Sequence, residues 1–273
     1  MKNKAQYALE KEISEIKKLE NRLAKAASKE KSGGILGAIE SKIPDKIRVS
    51  LNLAFYKAFD LVLDKGHFII EKTIEKNQII QDQNVREYAL QIKKGRKEWK
   101  TIHRSAGRSG LLNMTLSAVE GVGLGALGIG LPDIVLFLSS ILRGVYEIAL
   151  NYGFEYESRK EQYLILKMLE TSLCTGDEWR ENNAELNKLF EQESTEEITQ
   201  EIFSKQLHAT ADAFAMDMLI LKFIQGLPVV GIIGGAANPI YYKKVCDYAK
   251  VKYRKRFLLK HIKHESENGI ISI

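Results

Sequence analysis

Residues 117–142 read SAVEGVGLGALGIGLPDIVLFLSSIL, and residues 223–242 read FIQGLPVVGIIGGAANPIYY. Each carries a Gly-Leu-Pro tripeptide, Gly130-Leu131-Pro132 and Gly226-Leu227-Pro228, followed by an apolar helix-like run and then polar residues. A membrane span needs about 20 apolar residues of continuous helix. In the first stretch Gly-Leu-Pro-Asp interrupts the run, and Arg143 follows ten residues later. Asp133 at mid-depth would cost about 2.5–3.5 kcal/mol. In the second, Pro228, Asn238 and Pro239 break the run. Neither reads as a conventional span. The expectation is a tightly packed central core, with a re-entrant or conditionally inserted hairpin as the alternative. Ser117, Gly121 and Gly125 recur every four residues, as do Gly231 and Gly235. On a helix this spacing makes a smooth stripe that lets a second backbone approach closely.

The same glycines produce a decoy. Gly123, Gly125 and Gly128 match the dinucleotide-binding GxGxxG pattern, but that pattern needs a preceding strand and a βαβ unit. Another helix follows here, and no cofactor is expected.

Outward from these elements the chain is helical. Leu9, Ile13, Ile16, Leu19, Leu23 and Ala27 recur at three- and four-residue steps, so residues 3–31 read as an amphipathic helix ended by Ser32-Gly33-Gly34. Pro44 and Asp45 open another, with its apolar face running from Ile47 to Val62. Further helices are expected over 67–78, 84–104 and 155–174. The run STEE, from Ser194 to Glu197, reads as a capping box opening a helix to about Gln225. Two-residue alternation is absent. The expected fold is all-α: a single compact multi-helix domain over 1–273 with two central glycine-rich apolar elements. An amphipathic helix lies within 1–34, and 243–264 forms a basic C-terminal helix.

The net charge of +6 conceals an asymmetry. Residues 177–201 hold nine acids against Arg180 and Lys188. Residues 93–108 hold seven Lys/Arg against Glu98, and residues 243–263 hold nine against Asp247. Each basic run adjoins one of the apolar stretches. Basic helices beside apolar ones suit an anionic lipid surface, at roughly 1 kcal/mol per well-placed cation; solvated helix faces are the bland alternative. Tyr248, Tyr253 and Phe257 interleave with the C-terminal charges in a way that nucleic-acid stacking would use, but their spacing suits docking onto a core better. Two cysteines, Cys174 and Cys246, exclude a disulfide framework and make a reducing compartment the default. The N-terminal run lacks an apolar signal-peptide core.

Recognisable catalytic motifs are missing: no HExxH, GxSxG, CxxC or P-loop occurs. His208 and Asp212, four apart on a helix, are too few for a metal site, so no metal is expected. Cys174 and Cys246 read as small core residues. Charged and polar residues within the apolar helices are the remaining candidates. Arg143 and Glu147 read as an ordinary i,i+4 pair; alternatively Glu120, Arg143, Glu147 and Asn238 line a polar pocket between the Gly-Leu-Pro elements.

Residues 128–161, GIGLPDIVLFLSSILRGVYEIALNYGFEYESRKE, resemble the central part of EcsC-family proteins, where a Gly-rich stretch leads into an apolar helix, a Tyr-Gly pair (here Tyr152-Gly153) and an acidic helix. Residues 226–257, GLPVVGIIGGAANPIYYKKVCDYAKVKYRKRF, resemble the C-terminal part, with Pro-x-x-Gly, Gly-Ala-x-Asn and a basic helix in that order. Ile43-Pro44 fits the N-terminal part, and Pro239 directly after Asn238 departs from the pattern. The family is named for a protein encoded beside an ABC transporter. The resemblance implies an α-helical bacterial protein, cytoplasmic or membrane-associated, with no catalytic residues to carry over.

The leading functional expectation is a non-enzymatic, membrane-associated or lipid-contacting accessory protein, cytoplasmic and peripheral on the inner face of the cytoplasmic membrane. Its expected partners are an anionic membrane surface or lipid and a membrane-transport protein. Lys243, Lys244, Lys252, Arg254, Lys255 and Arg256 supply the electrostatics in this reading, and Tyr241 and Tyr242 sit at the interface. Two other classes stay open: a conditional membrane-inserting, pore-forming type of effector, and an enzyme with an unrecognised polar pocket between the Gly-Leu-Pro elements.

Overall fold

A computed structural model of the chain describes residues 4–29, 43–64, 70, 74–108, 131–192, 197–224 and 237–267. Among the described residues the protein is all-α, with nine helices: α1 (Lys4–Lys29), α2 (Asp45–Asp64), α3 (Lys76–Lys93), α4 (Arg96–Arg108), α5 (Leu131–Asn151), α6 (Arg159–Leu173), α7 (Gly176–Gln192), α8 (Gln200–Ile224) and α9 (Ala237–Glu267). The glycine stripe of Ser117, Gly121, Gly125, Gly231 and Gly235 lies outside the described residues, as do Glu120 and the second Gly-Leu-Pro.

Helix α5 decides the architecture. From Ile134 to Leu150 apolar side chains point in every direction, and a helix apolar all round must be enclosed. It is flanked by α2, α3, α4 and α9. The helix starts at Leu131, inside the Gly-Leu-Pro, and runs on through Arg143, whose guanidinium reaches Glu147 one turn on at 3.0 Å, the i,i+4 pair the sequence suggested. The 18 residues Ile134–Asn151 are thus long and apolar enough to cross a membrane by length and composition, while 78% of them are buried in the fold. A core helix of a soluble protein meets the same test.

Around α5 the core is continuous and rich in rings. Phe55 and Phe59 of α2, Phe137 of α5, Phe214 of α8 and Tyr241 of α9 meet with centroids 5.4–6.4 Å apart. Each buried ring of this size stabilises the fold by about 1.5–3 kcal/mol. Gly144 sets the α5–α9 approach: a Cβ there would lie 2.5 Å from Tyr242 Oη and 2.8 Å from its ring.

Helix α5 stops at the Tyr-Gly pair. Gly153 takes φ +75°, its N–H reaches Leu150 O at 2.9 Å, and Phe154 N–H reaches Ala149 O at 3.0 Å. This closure satisfies two terminal carbonyls and needs a residue at ease with positive φ.

Four boundaries differ from the sequence expectation, one being the start of α6 at Arg159 rather than at 155. Of the helix expected over 67–78, residues 67–69 and 71–73 lie outside the described residues and Ile70 is helical; the helix expected over 84–104 is instead parts of α3 and α4, divided at Lys94 (φ +47°) and Gly95. Helix α8 begins later than the capping box suggested: Glu197 and Ile198 are not helical, and the Thr199 hydroxyl accepts the Ile202 N–H at 3.3 Å. A hydroxyl at the cap position does the same work whichever Ser or Thr supplies it. Pro44 stands one place outside α2, its carbonyl accepting from Ile47 and Arg48.

Candidate anion-binding cleft

The two basic runs meet different fates. Helix α9 lies against α1, α5, α6 and α7, and most of the cations named for it are met by carboxylates of other helices. Lys252, whose side chain is fully enclosed, places Nζ 2.9 Å from Glu20 and 3.0 Å from Asn187 Oδ1. Lys255 shares Glu20 at 3.2 Å. Arg254 donates to both oxygens of Glu12, and Arg256 to both oxygens of Glu161. Lys244 is 3.7 Å from Asp217, and the exposed Lys243 pairs with Asp247 one turn on. Tyr241 and Tyr242 are buried in the core, and so are Tyr248, Tyr253 and Phe257.

This corrects the expected membrane face. Tyr241, Tyr242 and Lys252 are enclosed, and Lys244, Arg254, Lys255 and Arg256 are held by acids of the same chain. Contact with a long helix buried on several sides outweighs the solvation its charges would otherwise seek, provided each buried charge has a partner. Burial lowers the Lys252 ammonium to about 8, against the opposing pull of Glu20. Of the polar-pocket candidates, Arg143 and Glu147 form the helix pair already described. Asn238 lies in the first turn of α9, with its side chain outside the described set.

Helix α4 carries the other run. Its Trp99, Ile102 and Ala106 turn into the core. Arg96, Lys100 and Arg104, at successive four-residue steps, therefore form a row beside that buried stripe. The row lines a cleft of about 550 Å³, faced by Lys11 of α1 and floored by Arg254 of α9. Among the described residues, Lys11, Arg96, Lys100 and Arg104 make no hydrogen bond or ion pair. The two carboxylates of the cleft are already engaged, Glu15 by Lys18 at 3.7 Å and Glu12 by Arg254.

Below the mouth lies a chain of buried polar contacts. Glu12 stands on the line through Ala8 and Ile16 that α1 buries. Arg254 meets it with Nε at 2.5 Å and Nη2 at 2.9 Å, and His103 Nε2 lies 2.8 Å from Glu12 Oε1. His103 Nδ1 is 3.1 Å from the Tyr152 hydroxyl. Burial raises the Glu12 carboxyl, but the hydrogen bonds from His103 and Arg254 outweigh it and hold the group at about 2. Burial also pushes His103 below its ordinary value, with Glu12 opposing and Arg254 adding to the shift. A carboxylate only accepts, so the tautomer that suits this site carries its proton on Nε2 and leaves Nδ1 to accept the Tyr152 O–H. Burial pushes the Tyr152 phenol up, which keeps it a donor.

The chemistry of this arrangement is binding. Both oxygens of Glu12 are met by Arg254, so the carboxylate holds the guanidinium rigid and offsets its charge. Neither residue was singled out in the sequence. The available signal was a carboxylate at the centre of an apolar stripe, Ala8-x₃-Glu12-x₃-Ile16, where a solvated charge has no place.

Elsewhere, Cys174 and Cys246 are buried, and burial pushes both thiols up to about 12. His208 stacks on Tyr56 at 4.0 Å, whereas Asp212 accepts from Arg48 and Asn52 of α2. Among the described residues no group of three His, Cys, Asp or Glu stands close enough to hold a metal.

Comparison with known proteins bears on identity. A relative, Protein EcsC of Bacillus subtilis (strain 168), is 26% identical over 148 residues, covering 52% of this chain and 58% of that protein. The match thus spans less than two thirds of the relative's length. No solved structure matches the chain. The model of the EcsC protein family matches residues 9–258, nearly the whole length including α1, the Tyr152-Gly153 turn and most of α9. The chain belongs to the EcsC protein family.

Proposed function

We propose that this protein is a non-enzymatic accessory protein that docks peripherally on an anionic membrane surface through α4 rather than α9. The observation that carries the reading is the row of Arg96, Lys100 and Arg104 with Lys11 opposite, cations for which the described chain offers no acid. Four cations at roughly 1 kcal/mol each supply about 4 kcal/mol of attraction to anionic lipid. Helix α3, which precedes α4, adds Val85, Tyr88 and Ile92, exposed by 69%, 65% and 62% at three- and four-residue spacing. An apolar stripe next to a basic helix suits the headgroup boundary. Such a surface suits a position on the inner face of the cytoplasmic membrane beside a membrane-transport protein.

Vesicle flotation tests the reading. Binding to vesicles containing phosphatidylglycerol should exceed binding to neutral vesicles, weaken as salt rises, and be lost in an Arg96→Glu, Lys100→Glu, Arg104→Glu triple variant. Equal binding to neutral and anionic vesicles, or none, would sink it.

A second reading, conditional insertion, is favoured by the span-like length and composition of Ile134–Asn151. Its mark would be dye leakage from anionic vesicles. Intact vesicles under conditions where the protein is bound count against it.

A further inference from the structure

We propose that the cleft between α1 and α4 is a binding site for a phosphomonoester dianion. The inference deepens the membrane reading by naming what the cleft receives, and it rests on that reading only for the source of the phosphate.

Donors converge there from three helices: Lys11 from α1, Arg96, Lys100 and Arg104 from α4, and Arg254 from α9. A solvated charge run on one helix would diverge from its axis and leave no concavity. Here the concavity is about 550 Å³, within the roughly 300–1,000 Å³ usual for small-molecule sites. It is built of the residues that recognise phosphate.

Arg254 is the fixed point. With Nε and Nη2 committed to Glu12, its guanidinium plane is set, and Nη1 has no acceptor in the described chain. A guanidinium held in place loses less conformational freedom on binding than a free one. Glu12 cancels about one charge of the five, and Glu15 is already turned to Lys18. The surplus of several positive charges favours the more highly charged group, one carrying about −1.5 to −2 at pH 7 with three acceptor oxygens, which is a phosphomonoester. A phosphodiester or a carboxylate offers one charge and fewer acceptors. Two sources share this chemistry: a lipid headgroup ending in phosphate, and a soluble phosphate compound.

The test uses the full chain and two probes. Inorganic phosphate, compared with chloride at equal ionic strength, is followed by thermal shift and calorimetry. Flotation uses vesicles whose sole anionic lipid is phosphatidic acid, a monoester, or phosphatidylglycerol, a diester. Phosphate should raise the melting temperature beyond the chloride control. Lys100→Ala with Arg104→Ala, both exposed and without partners among the described residues, should weaken that binding about tenfold or more. Lys243→Ala, an exposed cation outside the cleft, should leave it unchanged.

A phosphate response equal to that of chloride, or one untouched by the double variant, overturns the inference. If both vesicle types bind equally while phosphate has no effect, the cleft proposal fails and the membrane reading stands. If phosphate binds and depends on Lys100 and Arg104 while neither vesicle binds, the cleft proposal stands, its source is soluble, and the membrane reading fails. Preferential binding of phosphatidic acid supports both.

Discussion

Arg254 and Glu12 stand 242 residues apart in the chain and meet in a two-pronged ion pair, with Nε at 2.5 Å and Nη2 at 2.9 Å from the two carboxylate oxygens. The contact ties α9 to α1 and places the floor of the cleft. The Glu12 side chain is 6% exposed and that of Arg254 16%, so the carboxylate is the more deeply buried partner.

That asymmetry predicts the order of two substitutions. Arg254→Met leaves an enclosed carboxylate facing only neutral donors and should cost about 3–5 kcal/mol. Glu12→Gln leaves a guanidinium that already reaches the cleft, and should cost less. Urea denaturation of the two variants compares them directly; an equal or reversed order would show that burial does not set the cost.

The same pair makes stability acid-sensitive. Glu12 falls from an ordinary 4.5 to about 2 on folding, so its contribution is complete above about pH 4.5 and is lost as pH falls towards 2. His103, pushed below 6.5 by burial, adds loss in the same direction, because below that value the unfolded chain takes up a proton that the native ring resists. Melting temperatures should therefore fall steadily from neutral pH into acid. In Glu12→Gln the portion of the fall between pH 4.5 and 2 should shrink by the order of 3 kcal/mol.

Lys252 and Glu20 invert the first case, since here the cation is enclosed and the acid is 22% exposed. Glu20→Gln should destabilise by about 3 kcal/mol, whereas Lys252→Met, which fills similar space without charge, should cost under about 1.5 kcal/mol. Because Lys252 titrates near 8 in the fold against 10.5 unfolded, the native chain holds fewer protons across that window and stability rises with pH there. The Glu20→Gln defect should accordingly be smaller at pH 9 than at pH 7. A pH-independent defect would deny Lys252 its role.

Gly144→Ala probes packing alone. The added methyl would fall 2.8 Å from the ring of Tyr242, a buried side chain, so the ring or the helix must shift to admit it. A loss of about 1–3 kcal/mol is expected by thermal or urea unfolding. Full stability would mean that α5 and α9 separate at little cost.

Much of the architecture was legible from local pattern. The apolar periodicity of α1 and α2, the all-round apolarity of α5 and the glycine of the Tyr152-Gly153 turn each state their structure within a few residues, because helix faces and left-handed closures are local physics. Boundaries were less legible. Lys94 adopts a left-handed conformation that no composition rule asks of lysine, and Thr199 rather than Ser194 caps α8 through a choice between equivalent hydroxyls.

The use of charge was decided elsewhere. By itself the sequence determined an all-helical EcsC-family protein with two basic runs, one of seven Lys/Arg and the other of nine. Nothing in the runs says which is spent. Electrostatic partners of a buried cation lie on other helices, up to 242 residues away, so neutralisation depends on which faces meet. The tertiary structure supplied Glu12, Glu20 and Glu161 to α9 and, among the described residues, no acid to the α4 row. Burial made most of the longer run internal glue, and left Arg96, Lys100 and Arg104 of the shorter one without an acid among the described residues.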